Sequence, residues 1–163
     1  MKTVCIDVFT FDELPTEKAK EKARDWWRNL YLPFAWSGES LKSITVFCDE
    51  FGVKLTDYYV CPFERPTFST SVENAHFRGR QLKEFKRDNM PTGYVLDCTL
   101  WETFYDAFKA SGNAKGAFDS AICAGFAEWR EDMESQTTDS YIDDCLTANE
   151  YEFTEAGKRV VVE

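Results

Sequence analysis

Residues 9–27 read FTFDELPTEKAKEKARDWW and mark an abrupt change from strand to helix. Upstream, apolar and polar residues alternate from Thr3 to Thr10, a period of two that predicts a half-buried strand. Downstream, Pro15 has the backbone angle favoured in a first helical turn, and the Thr16 side chain can act as the N-cap. Apolar residues then recur at helical spacing: Ala19, Ala23, Trp26, Trp27 and Leu30. We therefore expect a helix that folds back over the sheet, with one of its two adjacent tryptophans in the core.

The rest of the chain predicts an α+β fold. Apolar stripes at helical spacing predict helices at about 40–51, 97–110, 115–135 and 139–148. Strands are expected at 53–62 and 67–73, followed by a mobile loop over 73–93 and a terminal hairpin that turns at 155–158. Together these elements predict one domain over residues 1–163, with an antiparallel sheet of about five strands covered by four to five helices. Both termini are expected to contribute strands to the sheet.

Composition places the chain among globular, cytoplasmic proteins. It has 163 residues, of which 44% are hydrophobic, and no apolar run is long enough to span a membrane. Charges at Asp7, Asp12 and Glu13 occupy the place where a signal peptide needs an apolar stretch. No two of the six cysteines are closer than 13 positions, which excludes paired zinc-finger spacing. We expect most of the cysteines to be buried and free, and we expect no metal and no cofactor.

The net charge of −10 is unevenly distributed. Residues 128–155 contain ten acidic residues and only Arg130 in opposition, a net charge of −9. Such a segment suits docking on a basic protein surface or imitation of a nucleic acid. The alternative is a solvated face that only keeps the protein soluble.

A basic segment contrasts with this acidic one. Residues 78–87 read RGRQLKEFKR and carry a charge of +4. Its cations lie among aromatic residues, a pattern that can hold single-stranded nucleic acid; they are Arg78, Arg80, Lys83, Lys86 and Arg87. On so acidic a chain we do not expect direct nucleic-acid binding, and we expect these cations to pair with acids of the C-terminal third.

Both ends of the chain resemble a loose family of small proteins encoded by bacteriophages and prophages. The opening FDELPTEKAKEKARDWW is similar to the family pattern FDEL-S-x-x-A-K-x-K-A-x-x-W, and the closing SYIDDCLTANEYEFTEAGKRV contains N-x-Y-x-F-x-x-x-G-K. The family's central segment is rich in glycine, whereas DYYVCPFERPTFSTS here has none. The resemblance implies an accessory phage protein that acts on host machinery or host defence, and it implies no catalytic residues.

Catalysis has one weak candidate. None of the common nucleotide-binding, hydrolase or metalloprotease motifs occurs. Cys61 and His76 could form a thiolate nucleophile and its base, oriented by Asp57 or Glu73, if the fold brought them within hydrogen-bond reach. A small hydrolase or transferase is therefore the enzymatic alternative.

Protein binding is the function that the sequence favours. Aromatic residues dominate interface hot spots, and this chain has more of them than one small core needs. We predict a non-enzymatic phage protein that binds a host protein, an anti-CRISPR-like inhibitor of a defence nucleoprotein being the specific case. Its predicted contact residues are Asp132, Glu134, Asp139, Asp143, Asp144, Trp27, Tyr58 and Tyr59. A self-assembling structural protein, in which exposed aromatics form a homodimer, is the other alternative.

Overall fold

The computed structural model describes residues 7–30 and 34–161, and these ranges contain five α-helices and one two-stranded antiparallel sheet. The helices are α1 (Glu17–Arg28), α2 (Ser37–Glu50), α3 (Leu96–Ser111), α4 (Ala114–Ser135) and α5 (Asp139–Ala148), and the strands are β1 (Leu55–Tyr59) and β2 (Thr67–Thr70). The α+β class is confirmed. The chain divides into two compact units, one from Met1–Pro33 with Ser135–Glu163 and one from Phe34–Glu134. The expectation of a single domain stays a prediction.

The first unit has a small core built from both ends of the chain. Its buried residues are Phe11, Leu14, Ala19, Ala23, Ile142, Leu146 and Phe153. Helix α1 begins as expected, because the Thr16 hydroxyl accepts a hydrogen bond from the Ala19 amide at 3.2 Å. The opening and closing stretches of the chain therefore supply much of one common core.

The prediction of five strands is wrong for the described residues. Phe9 and Phe153 exchange two backbone hydrogen bonds of 2.8 Å, and Phe153 also bridges Arg159, but these are isolated bridges. The backbone amide and the hydroxyl of Thr10 both donate to the Glu13 carboxylate at 2.9 Å. These bonds turn the chain towards α1 instead of continuing a ladder. The earlier part of the expected strand, residues 3–6, lies outside the described residues.

The tryptophans of α1 lie beside the core and not in it. Trp26 and Trp27 are both half-buried, so the expectation that one of them fills the core is wrong. Trp26 packs edge-on against Tyr151 and Phe153, and Trp27 is tilted against Tyr151. The buried face of α1 carries small side chains, Ala19 and Ala23, because the turn of the C-terminal hairpin approaches the helix backbone there.

The second unit is organised around aromatic rings. Helices α2, α3 and α4 face one another across a core that includes Phe47, Phe51, Trp101, Phe104 and Phe118. Residues 73–93, expected as a mobile loop, contain short 3₁₀ turns at Asn74–Phe77 and Leu82–Glu84. Phe77 and Phe85 from this segment are buried among the same rings, which anchors it.

Strands β1 and β2 form the hairpin that the sequence predicts, although each strand is shorter than expected. Thr67 pairs with Tyr59, and the register shifts between Leu55 and Asp57. The hairpin lies on α4, where the Phe68 ring stacks on the Phe126 ring with centroids 4.6 Å apart. Its turn, residues 60–66, is therefore presented beside that helix.

Among the described cysteines only Cys48 is buried, so the expectation of mostly buried thiols is wrong. Burial, and to a smaller extent the charge of Asp49, raises the pKa of Cys48 to about 12. Cys123 is exposed. In the described ranges, no helix combines the length and apolarity that a membrane crossing requires.

The approach of the hairpin turn to α1 predicts a large effect of a small substitution. Gly157 has a φ of +76°, and a Cβ placed on it would lie 2.0 Å from the Ala19 carbonyl oxygen. We expect Gly157→Ala to lower the free energy of unfolding by about 3 kcal/mol, through left-handed strain and overlap together. Urea denaturation followed by circular dichroism measures it.

The matched control is Gly52→Ala. Gly52 has a φ of +67°, but no atom lies within 4 Å of the added methyl position. Only the left-handed strain applies there, so a loss of about 1 kcal/mol is expected. Equal losses at the two positions would show that the close approach to Ala19 has no energetic weight.

Candidate protein-binding surface

Asp143, a predicted contact residue, is held by the protein itself. The Arg24 guanidinium donates from Nε to Oδ1 of Asp143 at 2.7 Å and from Nη2 to Oδ2 at 2.9 Å. Arg24 is buried and also binds Glu17 and Glu21 on its own helix. These bonds, that with Asp143 foremost, raise the pKa of Arg24 above its ordinary value. The bidentate pair joins α1 to α5.

Asp139 takes part in a second ion pair between the same helices. Arg28 binds Asp139 of α5 and, on α1, Glu21 at 2.8 Å and Asp25 at 3.0 Å. Asp144, in contrast, is exposed and has no ion pair within the described part of the chain. Asp139 and Asp143 thus stabilise the first unit, and their role as partner contacts stays a prediction.

Two of the five cations in the basic segment bind acids of their own unit. Arg87 forms ion pairs with Glu102 at 2.9 Å and Asp106 at 3.1 Å on α3. Arg80 lies over the rings of Phe51 and Phe85 and reaches Glu84 at 3.5 Å. The expected pairing with acids of the C-terminal third is therefore wrong for these two arginines. The other three cations, Arg78, Lys83 and Lys86, are exposed.

The enzymatic candidate lacks the contact it needs. Cys61 follows β1 and is hydrogen-bonded to Tyr59, a bond that raises the pKa of that phenol. His76 lies in a 3₁₀ turn, and its buried Nδ1 atom has no hydrogen-bond partner. Within the described residues, no side-chain hydrogen bond joins Cys61 to His76 or His76 to Asp57 or Glu73; only the His76 backbone amide donates to the Glu73 carbonyl, at 3.0 Å.

An aromatic pair stands out at the start of α2. Trp36 immediately precedes the helix, is 60% exposed, and stacks on Tyr94 with ring centroids 6.5 Å apart and planes inclined by 25°. The first turn of α2 is fixed to α4 by a hydrogen bond of 3.3 Å from the Trp129 indole N–H to the Ser37 hydroxyl. The pair therefore sits on a braced part of the second unit.

A buried carboxylate positions Tyr94. Oδ2 of Asp97, at the start of α3, accepts hydrogen bonds from the Thr92 amide (2.8 Å), the Thr92 hydroxyl (2.9 Å) and the Gly93 amide (3.1 Å). The Thr92 hydroxyl is also bonded to Ser43 of α2 at 2.8 Å. The backbone just before Tyr94 is thus held between two helices.

Three carboxylates act electrostatically on Tyr94. Burial raises the pKa of Tyr94, a hydrogen bond with Ser40 opposes that shift, and the charges of Asp132, Glu39 and Glu128 add to it. We call the group formed by Trp36, Tyr94, Glu39, Glu128 and Asp132 the Trp36–Tyr94 surface. No cluster of three or more potential metal ligands occurs in the described ranges, so these acids form a negative surface without metal-binding geometry.

The conformation of Trp36 is unusual. Its φ is +61°, in the left-handed region that bulky residues rarely adopt, and no side chain caps the helix there. Left-handed backbone costs a non-glycine residue about 1–2 kcal/mol, and such strain concentrates at functional sites. Glycine or asparagine would adopt this backbone conformation with less strain. The tryptophan at this position therefore contributes its exposed indole ring and not a favourable backbone conformation.

The predicted aromatic contacts occupy different places. Tyr58 and Tyr59 on β1 are 42% and 50% exposed. Tyr58 also lies against the rings of Phe126 and Trp129, with centroids 6.4 Å and 5.7 Å away. Trp27 packs on Tyr151 within the first unit. Of the acids predicted in the second unit, Asp132 belongs to the Trp36–Tyr94 surface and Glu134 pairs with Arg130 at 3.1 Å.

Sequence patterns alone do not mark Tyr94, Glu39 or Asp97 as functional. A signal existed for Trp36, because Ser37 and Gly38 directly follow it and mark a helix start that leaves an indole outside the apolar stripe. Tyr94 gave no such signal, since its environment comes from α2 and α4.

Comparison with known protein families, with curated proteins and with solved structures found no match to this chain.

The ion pairs of α5 predict that substitutions of the adjacent Asp143 and Asp144 change the stability of the fold to different extents. We expect Asp143→Asn to lower the free energy of unfolding by about 2 kcal/mol, because it leaves the buried Arg24 charge undercompensated. Asp144→Asn removes an exposed charge and should change that energy by less than about 0.5 kcal/mol. Urea denaturation measures both, and equal effects would refute the structural role of Asp143.

The strained backbone at Trp36 predicts that replacing this tryptophan does not destabilise the fold, although it removes the exposed ring. Asparagine tolerates left-handed backbone, so Trp36→Asn should leave the free energy of unfolding unchanged or raise it by up to about 1 kcal/mol. Thermal and urea unfolding measure this. Trp101→Asn, at a buried ring, is the contrasting variant and should lose about 4 kcal/mol. A similar loss at Trp36 would mean that its ring serves packing.

Proposed function

We propose that this protein is a non-enzymatic binding protein that recognises a cationic segment of a partner protein on the Trp36–Tyr94 surface. The observation that carries the proposal is an exposed tryptophan in strained backbone, stacked on a tyrosine among three carboxylates. Strain of this kind needs a compensating role, and an interface anchor provides one.

The chemistry of the surface favours a cation over other ligands. The faces of the indole and phenol rings are electron-rich and attract an ammonium or guanidinium group. The exposed carboxylate of Glu39 can accept a charge-assisted hydrogen bond from the same group. Arginine fits better than lysine, because a planar guanidinium can stack on a ring and donate to a carboxylate at once.

We further propose that the partner is a host protein, because both chain ends resemble phage-encoded accessory proteins. A nucleic-acid-binding defence complex is the specific case, since its binding groove presents the arginines and lysines that this surface suits. The acidic residues of the first unit, above all the exposed Asp144, would add long-range attraction. Inhibition of the anti-CRISPR kind would follow if the protein occupies that groove in place of nucleic acid.

The test is an affinity pull-down of the tagged protein from bacterial lysate, with salt raised stepwise and captured proteins identified by mass spectrometry. We expect a captured protein whose binding falls with salt. The affinity of the purified pair, measured by calorimetry, should fall at least about 10-fold for Trp36→Ala and for Glu39→Lys. For a defence nucleoprotein, its own nucleic acid should compete.

The control for the charge change is Asp49→Lys. Asp49 is exposed on the same helix as Glu39, ten residues further on, which is about 15 Å along the axis. Both variants alter net charge equally, so a nonspecific electrostatic effect would weaken binding equally in both. Binding that survives Trp36→Ala and Glu39→Lys would refute the proposal.

A further inference from the structure

We propose that two copies of this chain associate through a groove beside the β1–β2 turn, each copy seating Phe63 against the other. The groove lies between that turn and α4 and has a volume of 410 Å³. Its lining includes Phe63, Glu64, Arg65, Phe68, Phe126 and Arg130.

The groove has an apolar floor and an uncovered apolar side chain at its rim. Phe68 and Phe126 form the floor as a stack with planes inclined by only 6°. Phe63 is 75% exposed, more than Trp36 or either exposed tyrosine of β1. A side chain of that size leaves water favourably when a second molecule covers it. One surface thus offers both an apolar knob and an apolar hole.

The charges beside Phe63 are self-complementary. Glu64 and Arg65 are adjacent, exposed and of opposite sign, and neither has an ion-pair partner in the part of the chain that the structure describes. Across a two-fold axis, a residue i that contacts j is matched by j contacting i. Glu64 of one copy can therefore face Arg65 of the second copy, and the reverse contact forms at the same time.

This charge pattern distinguishes a second copy from a cationic partner. Arg65 and Arg130 both line the groove, with Glu64 as its acidic residue. A cationic segment of the kind that suits the Trp36–Tyr94 surface would meet Arg65 here, which has no ion pair among the described residues, beside Arg130, which is paired with Glu131 and Glu134. The two surfaces share no residue, so failure of self-association leaves the proposed function standing, and the reverse also holds.

Sedimentation velocity at protein concentrations from about 1 µM to about 300 µM tests whether the dimer forms. This range is chosen because a contact this small should give a dimer with a micromolar Kd. The buffer contains reductant, since exposed Cys123 also lines the groove and a disulfide would imitate association. We expect a reversible dimer, and Phe63→Ser should raise its Kd at least about 10-fold. A monomer throughout, even one that captures some other protein, would overturn the inference.

Charge exchange provides the sharper test. Glu64→Arg and Arg65→Glu should each raise the Kd at least about 10-fold, because each places like charges opposite one another. The double variant restores opposite charges across the axis, so its Kd should return to within about 3-fold of the original. A double variant as weak as the single ones would overturn the inference, and thermal unfolding of every variant shows that folding is intact.

Discussion

The packing of aromatic rings around Phe51 is the interaction on which the second unit depends. Rings from α2, α3, α4 and the irregular segment surround it, with centroids 4.8–6.1 Å away. Aromatic pairs contribute about 0.5–1.5 kcal/mol each beyond the burial of their area. Because α2 is fixed at this end by Phe51 and at the other by the bond between Ser37 and Trp129, its exposed start is a rigid base for Trp36. A partner that binds Trp36 therefore loses no binding free energy to the ordering of this backbone.

The core of the first unit is built from the two ends of the chain. Phe11 and Ala19 from the opening and Phe153 from the closing stretch lie in one core, and Gly157 touches the backbone of α1. These residues are therefore mainly structural. Partner recognition is instead proposed on the second unit.

Part of the negative charge in the acidic segment is paired with arginines of the protein itself. The acidic segment has a charge of −9 in the sequence, yet Arg24 and Arg28 bind Asp143 and Asp139 from another helix. Ion pairs of this kind hold a helix in place and reduce the attraction to a distant partner. The exposed carboxylate of Glu39 differs, because it lies near the Tyr94 phenol in the Trp36–Tyr94 surface, whose aromatic faces attract cations.

Local patterns in the sequence determined the positions of the helices, the Thr16 cap, the β1–β2 hairpin and the α+β class, because capping and periodicity act over a few residues. The sequence could not determine the number of strands, since the Thr10 hydrogen bonds to Glu13 compete with ladder pairing. Of the proposed site, the sequence pointed to Asp132 as a contact residue, whereas Trp36 was only one of its many aromatic residues. Only tertiary structure decided that Tyr94 stacks on Trp36 and that the buried Asp97 positions it. The Asp97 bonds are local in the chain, but the stack joins residues 36 and 94, and it forms only when the helices have packed.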